Sequence, residues 1–330
     1  MVVQAGSRRE EREGRAPEEG GSLLAPELMA RVQQIHLRTH KLVSTALAGA
    51  YRSTFHGTGL EFQEVRPYQP GDEVRSIDWN VTARTGEPFI KKYAEERELT
   101  VHLLVDTGAT MDFGSARWTK REAAAQFAAL VSFIAMRNQD RVGLGLFGEA
   151  PGLHLDARKG TRHVLRLVRE VIAARPGRSA SDLGGILAHS VRGLRRRGMV
   201  FLISDFLQAP GEPSEADGDD GFWGDSLRFL ARRHDLVAVR VSDPLEERLP
   251  HAGLVTALDA GTGRQVELDT RSRRVRDAWE AAALERRQRV DAVLAGARVE
   301  PIELSTAGDL SEPLARFFRR RAQQHGGRSA

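Results

Sequence analysis

The chain has 330 residues, 41% apolar and 28% charged, which is the make-up of an ordinary soluble globular protein and excludes disordered and fibrous classes. It contains no Cys, so disulfide frameworks, thiolate zinc sites and cysteine nucleophiles are excluded, and any metal must be held by oxygen or imidazole. The net charge of +4 sits at one end: the last 60 residues carry 13 Arg against 8 acids, and with only 6% aromatics this basicity gives no nucleic-acid surface.

Residues 1–22 mix Arg, Glu and Gly with few large apolar side chains, which predicts a disordered tail. No run of about 18 apolar residues and no signal-peptide core occurs, which points to a cytoplasmic chain without a membrane span. In residues 23–50, Pro26 is a good first helical position, and Leu28, Val32, Ile35, Leu42 and Leu47 recur at near-helical spacing, predicting an amphipathic helix. Residues 51–98 change to short extended pieces, Gly- and Pro-rich turns and close-set charges, the texture of a separate β-rich module.

Residues 99–322 then alternate. Strands are expected over 101–105, 141–147, 199–204, 236–241 and 298–302. A helix opens on a Thr119/Glu122 capping box and ends at Asn138. Others begin at Thr161 and near Ser181 and Asp182, the latter carrying Arg195, Arg196 and Arg197 in its last turn. A hairpin over 254–258 and 265–268, a long Arg-rich helix and a last helix from Glu312 follow, with residues 323–330 as a tail. This order predicts an α/β fold with a doubly wound, mostly parallel sheet.

Several tempting strings fail. Gly143, Gly145 and Gly148 spell a dinucleotide motif but lie in an extended segment with Pro151 after them, and no phosphate-binding G-x-x-x-x-G-K-[ST] loop exists, so no nucleotide is expected. His36 and His40 have no acid in the metalloprotease arrangement, so zinc is not expected, nor is haem. The triplet Asp106-Thr107-Gly108 occurs once, whereas an aspartic protease needs two such aspartates sharing a proton.

Asp106 has another use. In an open α/β sheet the ligand site lies beyond the strands' carboxyl ends. Asp106 and Asp205 each follow such a strand, Ser181 starts the helix leading into the second, and Thr110 adds a hydroxyl in the loop after Asp106. This all-oxygen set suits Mg²⁺. The order resembles the metal-ion-dependent adhesion site of von Willebrand factor A domains, with Gly108 where that pattern expects a hydroxyl residue.

Upstream, Arg66-Pro67-Tyr68, Pro70-Gly71-Asp72, Arg75, Ile77-Asp78-Trp79 and Ala83-Arg84 resemble the hallmark of domain-of-unknown-function family fifty-eight. Ile203 to Phe206, Asp243-Pro244-Leu245-Glu246, Leu249-Pro250 and Asp269-Thr270 agree downstream, so the likeness spans roughly residues 25–322. The resemblance implies a von Willebrand A-like domain and a partnership with a MoxR-type AAA+ ATPase in assembling or activating an unknown client protein. It makes the chain a non-enzymatic interaction protein, the alternative being a metal-dependent hydrolase or phosphotransferase that uses Asp106 and Asp205 as ligands. Alternating signs at Asp72, Arg75, Asp78 and Arg84 predict a charge-assisted network around Trp79. The acidic stretch 211–225 should flank the same rim as Asp205.

Overall fold

A computed structural model describes residues 2–4, 48–49, 51, 60–69, 72, 77–95, 98–174, 177, 181–207, 221–258 and 263–326. The helix expected over 23–50 therefore lies outside the described residues except for helical residues 48 and 49, as do Pro70, Gly71, Arg75, residues 211–220 and His36 and His40. One strand, β1 (Val2–Gln4), occupies the stretch expected to be a disordered tail. Its backbone pairs with a sheet edge that would otherwise be open, as described below.

The upstream module is not purely β. Strands β2 (Leu60–Pro67) and β3 (Phe89–Glu95) pair antiparallel with a bulge between Phe62 and Glu64, but helix α1 (Trp79–Thr85) lies between them. Asp78 starts that helix by accepting from the Asn80 and Val81 amides, and Gly86 ends it at φ 78°, a left-handed conformation open to glycine. Two local caps therefore overrule the extended texture of the surrounding residues.

The alternating region begins with β4 (Thr100–Asp106) and α2 (Lys120–Arg137), opened by the Thr119/Glu122 capping box and closed at Asn138 as expected. Strands β5 (Arg141–Phe147) and β6 (Pro151–Arg158) and helices α3 (Thr161–Ala173) and α4 (Leu183–Gly193) follow. Helix α4 stops earlier than expected. Leu194 is its C-cap, non-helical and 5% exposed, so the chain turns into the core and Arg195, Arg196 and Arg197 fall beyond the last turn. Next come β7 (Met199–Ser204), α5 (Gly221–Arg233), β8 (Asp235–Ser242) and the one-turn α6 (Pro244–Glu247). The hairpin β9 (Leu254–Leu258) and β10 (Gln265–Asp269) pairs through β9 with β1. The long α7 (Arg273–Gly296), β11 (Glu300–Ser305) and α8 (Ser311–Gly326) complete the chain, α8 running into the residues expected to be a tail.

The main sheet has six strands in the order β11-β8-β7-β4-β5-β6, all parallel except β6. Residues on β4 alternate between two cores. Val101, Leu103 and Val105 face α2, α3 and α8, whereas Leu104 faces α4, α5 and α7. Both faces being covered, β7 is buried along its whole length. Phe127 on α2 meets Phe201 on β7 edge to face, with centroids 6.1 Å apart, worth about 1 kcal/mol beyond area burial. Because β4, β7, β8 and β11 run the same way, their carboxyl ends form one rim.

Candidate functional site at the strand carboxyl ends

Asp106, at the end of β4, is 1% exposed. Its Oδ1 accepts the Gly108 amide at 2.8 Å and the Ser181 hydroxyl, and its Oδ2 accepts the Ser204 hydroxyl at 2.6 Å. Ser181 reaches it because Asp182, which caps α4 on the Gly185 amide, also donates its own amide to the Gly148 carbonyl at 2.7 Å, drawing this loop over the ends of β4 and β5. Burial, followed by the charge on Asp205, pushes the Asp106 carboxyl up to about 6 against the pull of these hydrogen bonds.

Asp205 follows β7. Its Oδ1 accepts the Leu207 amide at 2.9 Å, and its Oδ2 accepts the Lys120 ammonium at 2.6 Å. Lys120 also donates to Glu246 on α6, and it is fully buried at the first position of α2. Burial alone would lower the lysine's pKa, but the two carboxylates outweigh it and raise it, so the ammonium stays charged. Two acids share that one cation. Glu246 is accordingly pushed up, because burial and Asp205 together exceed the ammonium's pull.

Asp243, at the end of β8, is fully buried and ties three loops together. It accepts the Ser115 amide and hydroxyl, the Leu245 amide at 2.9 Å and the Thr306 hydroxyl at 2.6 Å. With Glu246 it forms the capping box of α6.

The rim thus brings together the residues expected from sequence, with additions. Asp106 and Ser181 are in contact, Asp205 is near enough to act on Asp106, and Thr110 is buried in the turn Ala109–Asp112 with its hydroxyl unpartnered. Lys120, Ser204, Asp243 and Glu246 were not anticipated as site residues. The signal for the last two was the Asp243-Pro244-Leu245-Glu246 string, and for Lys120 only its place beside the capping box.

This donor set does not fit Mg²⁺ in the way the adhesion-site resemblance implies. An octahedral ion needs oxygens free to turn toward it. Both oxygens of Asp106 and both of Asp205 are engaged by protein donors and a cation already touches Asp205, so of the four expected ligands only the Thr110 hydroxyl is without a hydrogen-bond partner. At position 108, where the pattern has a hydroxyl residue, a Cβ would stand 2.1 Å from the Ser181 Oγ. Among the described residues, no group of three or more His, Asp or Glu is placed to hold a metal ion.

The motif of the upstream module is arranged differently from the expected network. Arg66 pairs with Asp72 at 2.7 Å, which holds the Asp72 carboxyl below its usual range, and Asp72 also accepts the Gln69 amide at 2.9 Å. Tyr68 is half-buried and joins Pro88 through its backbone, Asp78 caps α1, and Arg84 is exposed on that helix. Trp79 is 67% exposed, so these charges do not enclose it.

The sequence model of the family described as protein of unknown function DUF58 matches residues 64–289. An uncharacterized protein of Mycobacterium tuberculosis is 33% identical over 303 residues, covering 90% of each chain. Among solved structures, similarity extends to the conserved hypothetical protein BatB from Bacteroides thetaiotaomicron, at 10% identity and TM-score 0.41 over 68% of this chain and 99% of that one. A von Willebrand factor type A protein from Catenulispora acidiphila is similar at 13% identity and TM-score 0.37, over 71% of this chain and 44% of that one.

Proposed function

The chain belongs to the DUF58 family, and on that premise we propose that it is a non-enzymatic adaptor that works beside a MoxR-type AAA+ ATPase in the assembly or activation of a client protein. The observation that supports this reading is how the rim spends its reactive groups. Asp106, Asp205 and Asp243 are each buried and engaged by internal donors, so among the described residues the acids of this rim serve to hold its loops together and are not open to a substrate. The ATPase and its client come from the family resemblance, and energy from nucleotide hydrolysis would be the partner's contribution.

One observation favours a second reading, a hydrolase or phosphotransferase. Ser181 donates to a carboxyl held near pH 6, the pairing of hydroxyl and base that a nucleophile needs. Against it, Ser181 is 9% exposed and Asp106 1%, so a substrate atom has little access.

Affinity capture from native cells with the full chain as bait separates the two. The adaptor reading expects a AAA+ ATPase among the recovered proteins and no phosphoester turnover by the purified chain. Turnover lost in Ser181→Ala, with no ATPase recovered, would establish the second.

A further inference from the structure

We propose that the Lys120 ammonium is the resident cation of this rim and makes the site independent of divalent metal. The side chain is fully buried, within 2.6 Å of Asp205 Oδ2 and 2.5 Å of Glu246 Oε1. A buried lysine keeps its charge only where anions surround it, and here they come from two separate elements, the end of β7 and helix α6.

Its position is fixed by more than the ion pairs. Lys120 begins α2, where its amide donates to the Phe113 carbonyl at 2.8 Å and the Thr119/Glu122 capping box sets the first turn. The backbone at the root of this side chain is therefore fixed from both sides. A divalent ion on Asp205 would have to share that carboxylate with an ammonium in contact, or expel a fully buried side chain from both of its carboxylate partners. Like charges at that separation repel strongly in a site shielded from water.

The neighbouring loop closes the other approach. Gly108 packs so tightly on Ser181 that a side chain at position 108 would displace the Ser181 hydroxyl from its place on Asp106, which accepts three hydrogen bonds. A partner's acidic group consequently finds no metal ion to complete. Recognition falls to exposed side chains outside the rim, such as Trp79 and Arg84 of the family motif.

The assignment concerns the cation and not the partner, so failure to capture an ATPase would leave it standing. Calorimetric titration of the full chain with Mg²⁺, followed by thermal unfolding with and without the ion, tests it. The wild type should show neither binding heat nor a shift in Tm. Lys120→Met keeps the stem and removes the charge. It should unfold at lower temperature and bind Mg²⁺ at least about tenfold more tightly than the wild type, with a matching rise in Tm. Should Lys120→Met not fold, Lys120→Met/Glu246→Gln removes one charge of each sign and should recover stability while still gaining the response to Mg²⁺. Saturable Mg²⁺ binding by the wild type that Asp205→Asn abolishes would overturn the proposal, and that measurement requires no change at position 120. A foldable variant lacking the ammonium that gains no Mg²⁺ affinity would overturn it as well.

Discussion

At the scale of single residues, Gly108 sets how closely two loops approach. Its backbone is ordinary, with φ −62°, so conformational freedom is not what the position requires. Space is. A Cβ would stand 2.1 Å from Ser181 Oγ and 3.2 Å from both Asp106 Oδ1 and the Ser181 amide. Gly108→Ala should therefore lower stability by about 1–3 kcal/mol in urea unfolding, the usual cost of overpacking a closed site. Adding Ser181→Gly should return part of that loss, since the clashing hydroxyl goes with it. A change of less than about 0.5 kcal/mol for Gly108→Ala would show that the Ser181 hydroxyl turns aside or the loops separate at little cost. The convergence of Asp106 and Ser181 was legible because parallel topology alone decides which strand ends and helix starts share a rim. Lys120 was not. A lysine in the first turn of a helix reads as a solvated charge, and nothing local shows that Asp205 and Glu246, 85 and 126 positions away, will enclose it.

At the scale of elements, strand β4 carries different chemistry on its two faces. His102 shares a face with Leu104 and lies against α4, lining with Gly145, His154, Ile186 and His189 a cavity of about 140 Å³. Burial, then the charges of His234 and His154, depress the His102 pKa from 6.5 to about 4. The sign follows directly. Between those values the unfolded chain binds the proton and the folded chain does not, so stability is complete above about pH 6.5 and is lost as pH falls toward about 4. His102→Gln cannot be protonated. Relative to wild type it should gain stability on going from about pH 7 to about pH 4.5, by up to about 2 kcal/mol in unfolding free energy. A wild-type-to-variant difference that stays constant with pH would show that His102 is protonated equally in both states. The long alternating elements were readable from periodicity, whereas α1 was not: seven residues offer too short a window, and its existence depends on two caps, Asp78 and Gly86. The end of α4 was misplaced for a related reason, since the burial of Leu194 outweighs the attraction of three arginines for a helix carboxyl end.

At the scale of the molecule, the upstream segment is attached at one place and offered at another. Tyr51 is 1% exposed, donates to Asp140 Oδ2 at 2.8 Å and meets Phe318 edge to face, tying its segment to the core shared by α2 and α8. Burial, reinforced by Asp140, raises the Tyr51 pKa, so the hydroxyl remains a donor. Trp79 lies in the same upstream segment with 67% of its surface exposed, on a helix whose described residues are all unburied. A large aromatic kept in water contributes little to folding and much to association when a partner covers it. Trp79→Ala should therefore leave the unfolding midpoint within about 0.5 kcal/mol of wild type while removing most of the ATPase captured by the full chain. A variant that lost stability along with binding would make Trp79 a packing residue.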